Sequence, residues 1–209
     1  MRVVRPTVIV LAAGKGSRFQ GDTHKLEQDI GSVSVFGSTL KHVIASHLPL
    51  IVVTTEGLEP SARRLVAARD VVVVPEAGAR SDKRMGMGFS IASGVSARPD
   101  APGWLIMPAD MPLIQPSTLL AVARALEHHP VAYAQYKGRR GHPVAFASEL
   151  YSELVMLTGD EGARRLTARY PAFGVEVDDP GVLIDVDTPE DLTVVRACQA
   201  EHAVQHPLS

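Results

Sequence analysis

Val8-Ile-Val-Leu-Ala-Ala-Gly14-Lys-Gly16-Ser-Arg18-Phe-Gln-Gly21-Asp-Thr-His-Lys25 is an apolar run that breaks off into a glycine-rich, basic loop. The run has the length and composition of a buried strand. In the loop, Gly14, Gly16 and Gly21 let backbone approach a ligand, and Lys15, Arg18 and Lys25 carry positive charge. Backbone N–H groups backed by cations suit a polyphosphate. A surface loop with solvated charges is the alternative that this stretch alone leaves open. Two common nucleotide loops do not fit. A dinucleotide loop, G-x-G-x-x-G, needs a third glycine where Phe19 stands, and an acidic residue ending the second strand, for which Glu56 comes too late. A G-x-x-x-x-G-K-[ST] loop would put lysine where Asp22 stands, and a carboxylate there repels phosphates.

Outward from this stretch, strand-like and helix-like runs alternate. Strands are expected at Thr7–Leu11, Leu50–Thr54, Val71–Val74 and Trp104–Met107, with helices at Ser38–Ser46, Pro60–Ala68, Met87–Val95 and Pro116–Glu127. Such alternation predicts a parallel sheet covered by helices on both faces. After residue 130 the pattern changes. Val131–Tyr136 and Pro143–Phe146 read as a strand pair around the basic turn Lys137–Gly141. Short helices near Glu149–Leu157 and Glu161–Arg169, strands Phe173–Val177 and Leu183–Val186, and a helix from Pro189 complete the chain. The fold class expected is α/β: a single-domain three-layer α/β/α sandwich, its mostly parallel sheet carrying an antiparallel addition. The domain is expected to span residues 1–200, with 201–209 a frayed tail.

Bulk composition limits the function. The 209 residues are 45% hydrophobic and 21% charged, with a formal net charge of −2, so no global field attracts nucleic acid or an anionic membrane. A single cysteine, Cys198, excludes an internal disulfide and a cysteine-based zinc site within one chain. The N-terminal residues do not read as a signal peptide, and no apolar run approaches membrane-spanning length. A cytoplasmic protein is expected.

Five further constellations carry chemistry. Asp110, in Pro108-Ala-Asp-Met-Pro112, follows a strand's C-terminal end, where ligands bind open α/β sheets. It reads as a Mg²⁺ ligand or as a turn aspartate between prolines. Asp185 and Asp187 lie in Asp185-Val-Asp-Thr-Pro-Glu-Asp191, where Thr188, Pro189 and Asp191 also form a good helix start. Asp187 reads as a second metal ligand, Asp185 as a weaker one. The small residues of Gly86-Met-Gly-Phe-Ser90 let a flat ligand approach a helix N-terminus, with Ser90 placed to bond a base or ribose. Arg139-Arg-Gly-His-Pro143 and Gly159-Asp-Glu-Gly-Ala-Arg164 offer cations and a histidine to a second, anionic substrate; His142 reads equally as a structural histidine.

These segments, in this order and over about Val8 to Leu192, resemble the nucleotidyltransferases of molybdenum cofactor maturation. Leu11-Ala-Ala-Gly14 is more similar to the cytidylyltransferase branch than to the guanylyltransferase branch. The resemblance implies a nucleotide-diphospho-sugar transferase-like sheet and transfer of CMP from CTP to molybdopterin cofactor, with release of pyrophosphate. It implies Lys25, Arg18 and Asp110 as catalytic residues, and Leu11, Ala12, Ala13, Gly14, Gly16 and Ser90 at the nucleotide. It further implies Mg²⁺ at Asp110 and Asp187, and Arg140, His142 and Arg164 at the second substrate, with a molybdoenzyme as acceptor partner. Phe19-Gln-Gly21, the Leu26-Glu-Gln-Asp29 that follows the lysine and the Gly31-Ser-Val-Ser-Val-Phe36 turn depart from the family pattern. A GTP-dependent enzyme, an enzyme for another phosphorylated small molecule, and a non-catalytic molybdopterin-cofactor delivery protein are the alternative readings.

Overall fold

A computed structural model describes residues 5–14, 19, 24–76, 85–160 and 162–205, with side chains as far as Gln199. The strands are β1 Thr7–Ala12, β2 Leu50–Thr54, β3 Val71–Val73, β4 Gly103–Pro108, β5 Val131–Tyr136, β6 Arg139–Ala147 and β7 Ala172–Glu176. The helices are α1 Val35–Ala45, α2 Glu59–Arg63, α3 Met87–Ser96, α4 Pro116–Ala125, α5 Tyr151–Leu154, α6 Arg164–Arg169 and α7 Pro189–Gln205. Seven strands form one sheet in the order β3-β2-β1-β4-β6-β5-β7. β6 alone runs antiparallel, against both β4 and β5, so the expected fold class holds.

Side-chain alternation on the strands builds the two outer layers. Val8, Val10, Val52, Leu105, Met107, Ala132 and Ala145 face one cluster, with Phe36 and Leu40 of α1, Leu119 and Val122 of α4, and Leu192 and Val195 of α7. Their neighbours Ile9, Ile51, Val53, Trp104, Ile106, Val131 and Phe146 face the other, with Ile91 and Val95 of α3, Leu154 of α5 and Leu166 of α6. Strands buried on both faces read as continuous apolar runs, which is why they were legible.

Several elements differ from expectation. Leu183–Val186 is not a strand. Pro180–Leu183 is a 3₁₀ turn, and the Val186 N–H donates to the Asp110 carbonyl at 2.9 Å rather than to a sheet neighbour. The helix expected over Pro60–Ala68 ends at Arg63, because the chain must turn through a second 3₁₀ segment, Ala68–Asp70, to enter β3. The segment around Glu149–Leu157 divides into a 3₁₀ turn, Ser148–Leu150, and α5. β6 starts at Arg139, four residues earlier than expected, because the hairpin loop is only Lys137-Gly138, both at positive φ (50° and 73°). Glu176 holds that tip, its carboxylate accepting from the Lys137 N–H (2.6 Å) and the Gly138 N–H (3.4 Å). At the C-terminus, α7 runs to Gln205. Arg196 Nε donating to the Asp29 carbonyl and Gln199 Nε2 to Ser38 Oγ, both at 2.9 Å, tie it to the body. Among the described residues no helix is long and apolar enough to cross a membrane.

A two-residue hairpin with both φ values positive favours Asn-Gly over Lys-Gly. Lys137→Asn is expected to raise stability by about 0.5 kcal/mol, since asparagine adopts left-handed backbone at lower cost; the measurement is a higher urea midpoint with unchanged slope.

Candidate active site

β1 and β4 are parallel neighbours, and the chain reaches β2 on one side of β1 and β4 on the other. This is a switch point, where an open α/β sheet forms a crevice beyond its strand ends. The segment leaving β4 is anchored there by backbone: the Ala109 N–H donates to the Leu11 carbonyl at 3.0 Å. From α1, the Thr39 hydroxyl donates to the Ala109 carbonyl at 2.9 Å. Asp110 follows, and its own carbonyl takes the Val186 N–H, which places Asp187 beside it. The helix-start reading of the second acidic cluster also holds. Asp191 accepts from the Thr188 N–H (2.8 Å) while its own N–H donates to Thr188 Oγ1 (3.2 Å), a reciprocal cap for α7. The same Asp191 carboxylate takes the Asp187 N–H (3.1 Å), so the cap positions Asp187 for other work.

Lys25 completes the convergence. It opens a 3₁₀ turn, Lys25–Glu27, capped by His24, whose Nδ1 accepts from the Leu26 N–H at 3.2 Å. That assigns the His24 proton to Nε2, which lies 3.2 Å from the Gly14 carbonyl. His24 therefore ties Gly14, two residues past β1, to the turn that carries Lys25. The Lys25 Nζ donates to Asp110 Oδ2 at 2.7 Å and to Asp187 Oδ1 at 2.6 Å, with the lysine side chain only 10% exposed. Burial works to lower the Lys25 pKa, but Asp110 first and then Asp187 outweigh it and hold the ammonium above its ordinary value.

Two further groups feel this cluster. Burial, followed by the negative charge of Asp110, pushes the Asp185 carboxyl up. Burial holds the His142 imidazole below its ordinary value; Asp110 pulls it up and Arg140 pushes it down. At neutral pH His142 is thus a neutral hydrogen-bonding group rather than a cation.

Asp110 and Asp187 are hard oxygen donors, the set that magnesium-type cations use when phosphate and water complete their shell. Asp110 Oδ1 is buried and accepts no hydrogen bond among the described residues, so the pair fits such a cation. No group of three or more metal-ligating side chains occurs among the described residues.

The remaining candidates lie as follows. Leu11 and Ala12 end β1, and Ala13 and Gly14 continue from it, with no described atom within 4 Å of a Cβ built on Gly14. Gly16 and Arg18 lie outside the described residues, as do Lys15, Gly21 and Asp22. The Ser90 hydroxyl donates to the Gly86 carbonyl at 3.3 Å, at the start of α3. The glycines before it answer to the chain itself: the Gly88 N–H donates to the Gly159 carbonyl (2.8 Å), and a Cβ on Gly88 would lie 2.7 Å from the Thr158 carbonyl. Arg140 is exposed, with its guanidinium 4.4 Å from the centre of the Tyr133 ring. Arg164 is exposed at the start of α6.

Sequence reasoning missed His24 and Asp179. Nothing in the sequence marks His24 as a bridge. Asp179, before Pro180, belongs to a turn-forming pair that was legible. It is buried and accepts from the Gln115 N–H, the Thr118 hydroxyl and the Gly181 N–H, joining the start of α4 to the 3₁₀ turn that leads to Asp187.

The profile of the MobA-like NTP transferase domain matches residues 8–173. The purine catabolism protein PucB of Bacillus subtilis is 30% identical over 196 residues, 90% of this chain and 94% of that protein. The chain also matches the bifunctional protein GlmU of Zymomonas mobilis, spanning 27% of its length. Among solved structures, Rv0371c from Mycobacterium tuberculosis superposes with a TM-score of 0.78 at 28% identity, covering 94% of this chain and all of that one. A complex of the same protein with manganese has a TM-score of 0.74 at 27% identity, covering 91% and 97%. Molybdopterin-guanine dinucleotide biosynthesis protein A of Archaeoglobus fulgidus has a TM-score of 0.68 over 93% of this chain and 99% of that one. At its 16% identity the likeness concerns the fold alone.

Two outcomes follow from this geometry. A Cβ on Gly141 would lie 2.1 Å from the Val182 carbonyl oxygen. Gly141→Ala should push back the segment leading to Asp187 and destabilise the fold by roughly 1–3 kcal/mol, measured by denaturant melts. Burial acts to raise the Asp191 carboxyl, but its bonds from Thr188 and Asp187 hold it below the ordinary carboxylate value. Its contribution is therefore present above the unfolded value and lost as pH falls through the lower, folded one. Asp191→Ala should cost about 1 kcal/mol at neutral pH, and the gap from wild type should close below about pH 4.

Proposed function

The chain belongs to the MobA-like NTP transferase family, and we propose that it moves CMP from CTP to the terminal phosphate of molybdopterin cofactor, releasing pyrophosphate. The observation that carries the reading is the convergence of Lys25, Asp110 and Asp187 at the β1–β4 switch point. A nucleotidyltransferase of this kind needs no hydroxyl deprotonated. An acceptor phosphate monoester is already largely ionised at neutral pH, with a second pKa near about 6. One of its oxygens attacks the α-phosphorus of CTP, the bond to the bridging oxygen of pyrophosphate breaks, and the pair of electrons leaves with pyrophosphate.

The difficulty is electrostatic. At about 4 Å and an effective dielectric of about 20, each pair of like unit charges costs on the order of 4 kcal/mol. Magnesium is the proposed cation for Asp110 and Asp187, and when bound it would offset that repulsion and polarise phosphate oxygens. The manganese complex of Rv0371c supports a divalent cation as ligand in this family. Lys25, charged throughout the neutral range, is the cation proposed for phosphate oxygens gathering negative charge. Arg18 is proposed for the same task on the nucleotide loop.

Residues Leu11 to Gly14, Gly16 and Ser90 are proposed to shape the nucleotide site. The open space at Gly14 supports close approach of a ligand there. Arg140 and Arg164 are proposed as cations for the acceptor, with His142 as a neutral partner, and a molybdoenzyme as receiver of the product. The proposed catalytic unit is the whole domain, residues 1–200.

Pyrophosphate release measured with CTP, GTP, ATP and UTP, with and without molybdopterin cofactor, tests the reading. Release is expected with CTP only when cofactor is present; a preference for GTP would move the chain to the guanylyl reaction, and no release with any nucleotide would favour a delivery role. Asp110→Ala is expected to lower kcat/KM by roughly 10²–10³-fold, the usual loss for one preorganised electrostatic group, while circular dichroism shows the fold intact. Near-normal turnover would remove Asp110 from the centre.

A further inference from the structure

Lys25 has one ammonium group and two competing sets of partners. Its Nζ is in hydrogen-bond contact with Asp110 Oδ2 and Asp187 Oδ1, one oxygen of each carboxylate in the pair that a cation would share. A small hard divalent cation sits about 2.1 Å from each carboxylate oxygen it binds. With the ammonium still 2.7 and 2.6 Å from the pair, a cation held by the same two carboxylates would stand beside a second positive centre. We infer that Lys25 is the resident counter-ion of the Asp110–Asp187 pair, and that the ammonium and a divalent cation occupy the pair in turn. This rests on the reading of that pair as the metal-binding carboxylates.

Electrostatics favour exchange over sharing: an ammonium and a doubly charged cation on the same two carboxylates would repel each other. Moved onto an incoming triphosphate, the ammonium keeps an anionic partner and the carboxylates gain the cation. Burial makes the ammonium hard to do without. Asp110 and Asp187 are themselves mostly covered, and Asp185 adds a third carboxyl close by. Removing the ammonium alone would leave like charges facing each other in a half-buried place. The short 3₁₀ turn and its His24 cap fix the Lys25 backbone, so the exchange is a movement of the side chain only. The consequence is an order of binding: a divalent cation by itself meets a closed pair, and a nucleotide arriving with its cation supplies the anion that draws the ammonium away.

The test is Mn²⁺ titration in the absence of nucleotide, with free Mn²⁺ read by electron paramagnetic resonance. Lys25→Met keeps the apolar stem and removes the charge. It is expected to bind Mn²⁺ at least tenfold more tightly than wild type, and to gain more in melting temperature at saturating Mn²⁺. Lys25→Gln, titrated in parallel, provides the same comparison if the methionine variant does not fold. Equal or weaker Mn²⁺ binding by the folded variant overturns the inference, and is the result expected if the cation rests on Asp110 Oδ1 with the ammonium in place. Asp110→Asn separates the two levels of the claim. Loss of Mn²⁺ binding with Lys25 present and with Lys25→Met supports the pair as the metal site, whichever way the lysine comparison falls. Unchanged Mn²⁺ binding in Asp110→Asn sinks the pair as a metal site, and the exchange with it.

Discussion

One ammonium between two carboxylates is the constraint around which this structure is organised. Lys25 reaches Asp110 across 85 residues of sequence and Asp187 across 162. None of the three groups is stable in its place alone. A mostly buried ammonium without counter-charge, or two facing carboxylates without a cation, would carry an uncompensated desolvation cost. The turn that carries Lys25, the segment after β4 and the approach to α7 are therefore locked to one another by the chemistry of the centre as well as by the core.

Backbone hydrogen bonds, rather than side-chain packing, set the distances. The Leu11 carbonyl holds Ala109, the Asp110 carbonyl holds Val186, and Gly14 is tied to the Lys25 turn through His24. Behind them, Asp179 joins α4 to the turn at Pro180–Leu183, and Gly141 allows the Val182 backbone to cross β6 within reach of the site. This arrangement gives the antiparallel strand a function. β6 begins beside the end of β4, so the residues that open it, Arg140 to Pro143, stand at the ligand edge of the sheet. A parallel strand in that position would carry its last residues there instead.

The parallel strands were legible because both of their faces are buried, which leaves an unbroken apolar run in the sequence. The segment Leu183–Val186 carried a similar run and is not a strand: the Ile184 N–H is taken by the Gly181 carbonyl of the 3₁₀ turn and the Val186 N–H by the Asp110 carbonyl. Composition marks burial; it does not mark the hydrogen-bond partner. The segment around Asp187 shows the same division. Thr188 to Asp191 was readable as a helix start and is one, while the carboxylate of Asp187 is turned to a lysine that local sequence cannot indicate. The glycines before Ser90 read as room for a ligand, and the backbone of Thr158 and Gly159 with the Asp160 side chain lies against them.

The sequence by itself determined the layered α/β class and the residue types of the centre: one lysine and two aspartates, each beside a turn or strand end. These depend on local pattern, which a linear chain displays. Only the tertiary structure decided that Lys25 pairs with both aspartates, that burial lowers the His142 imidazole below its ordinary value, and that Asp179 and His24 hold the frame. Those properties depend on burial and on the charge of distant neighbours, and neither exists until the sheet has brought the ends of β1, β4 and β6 to one edge.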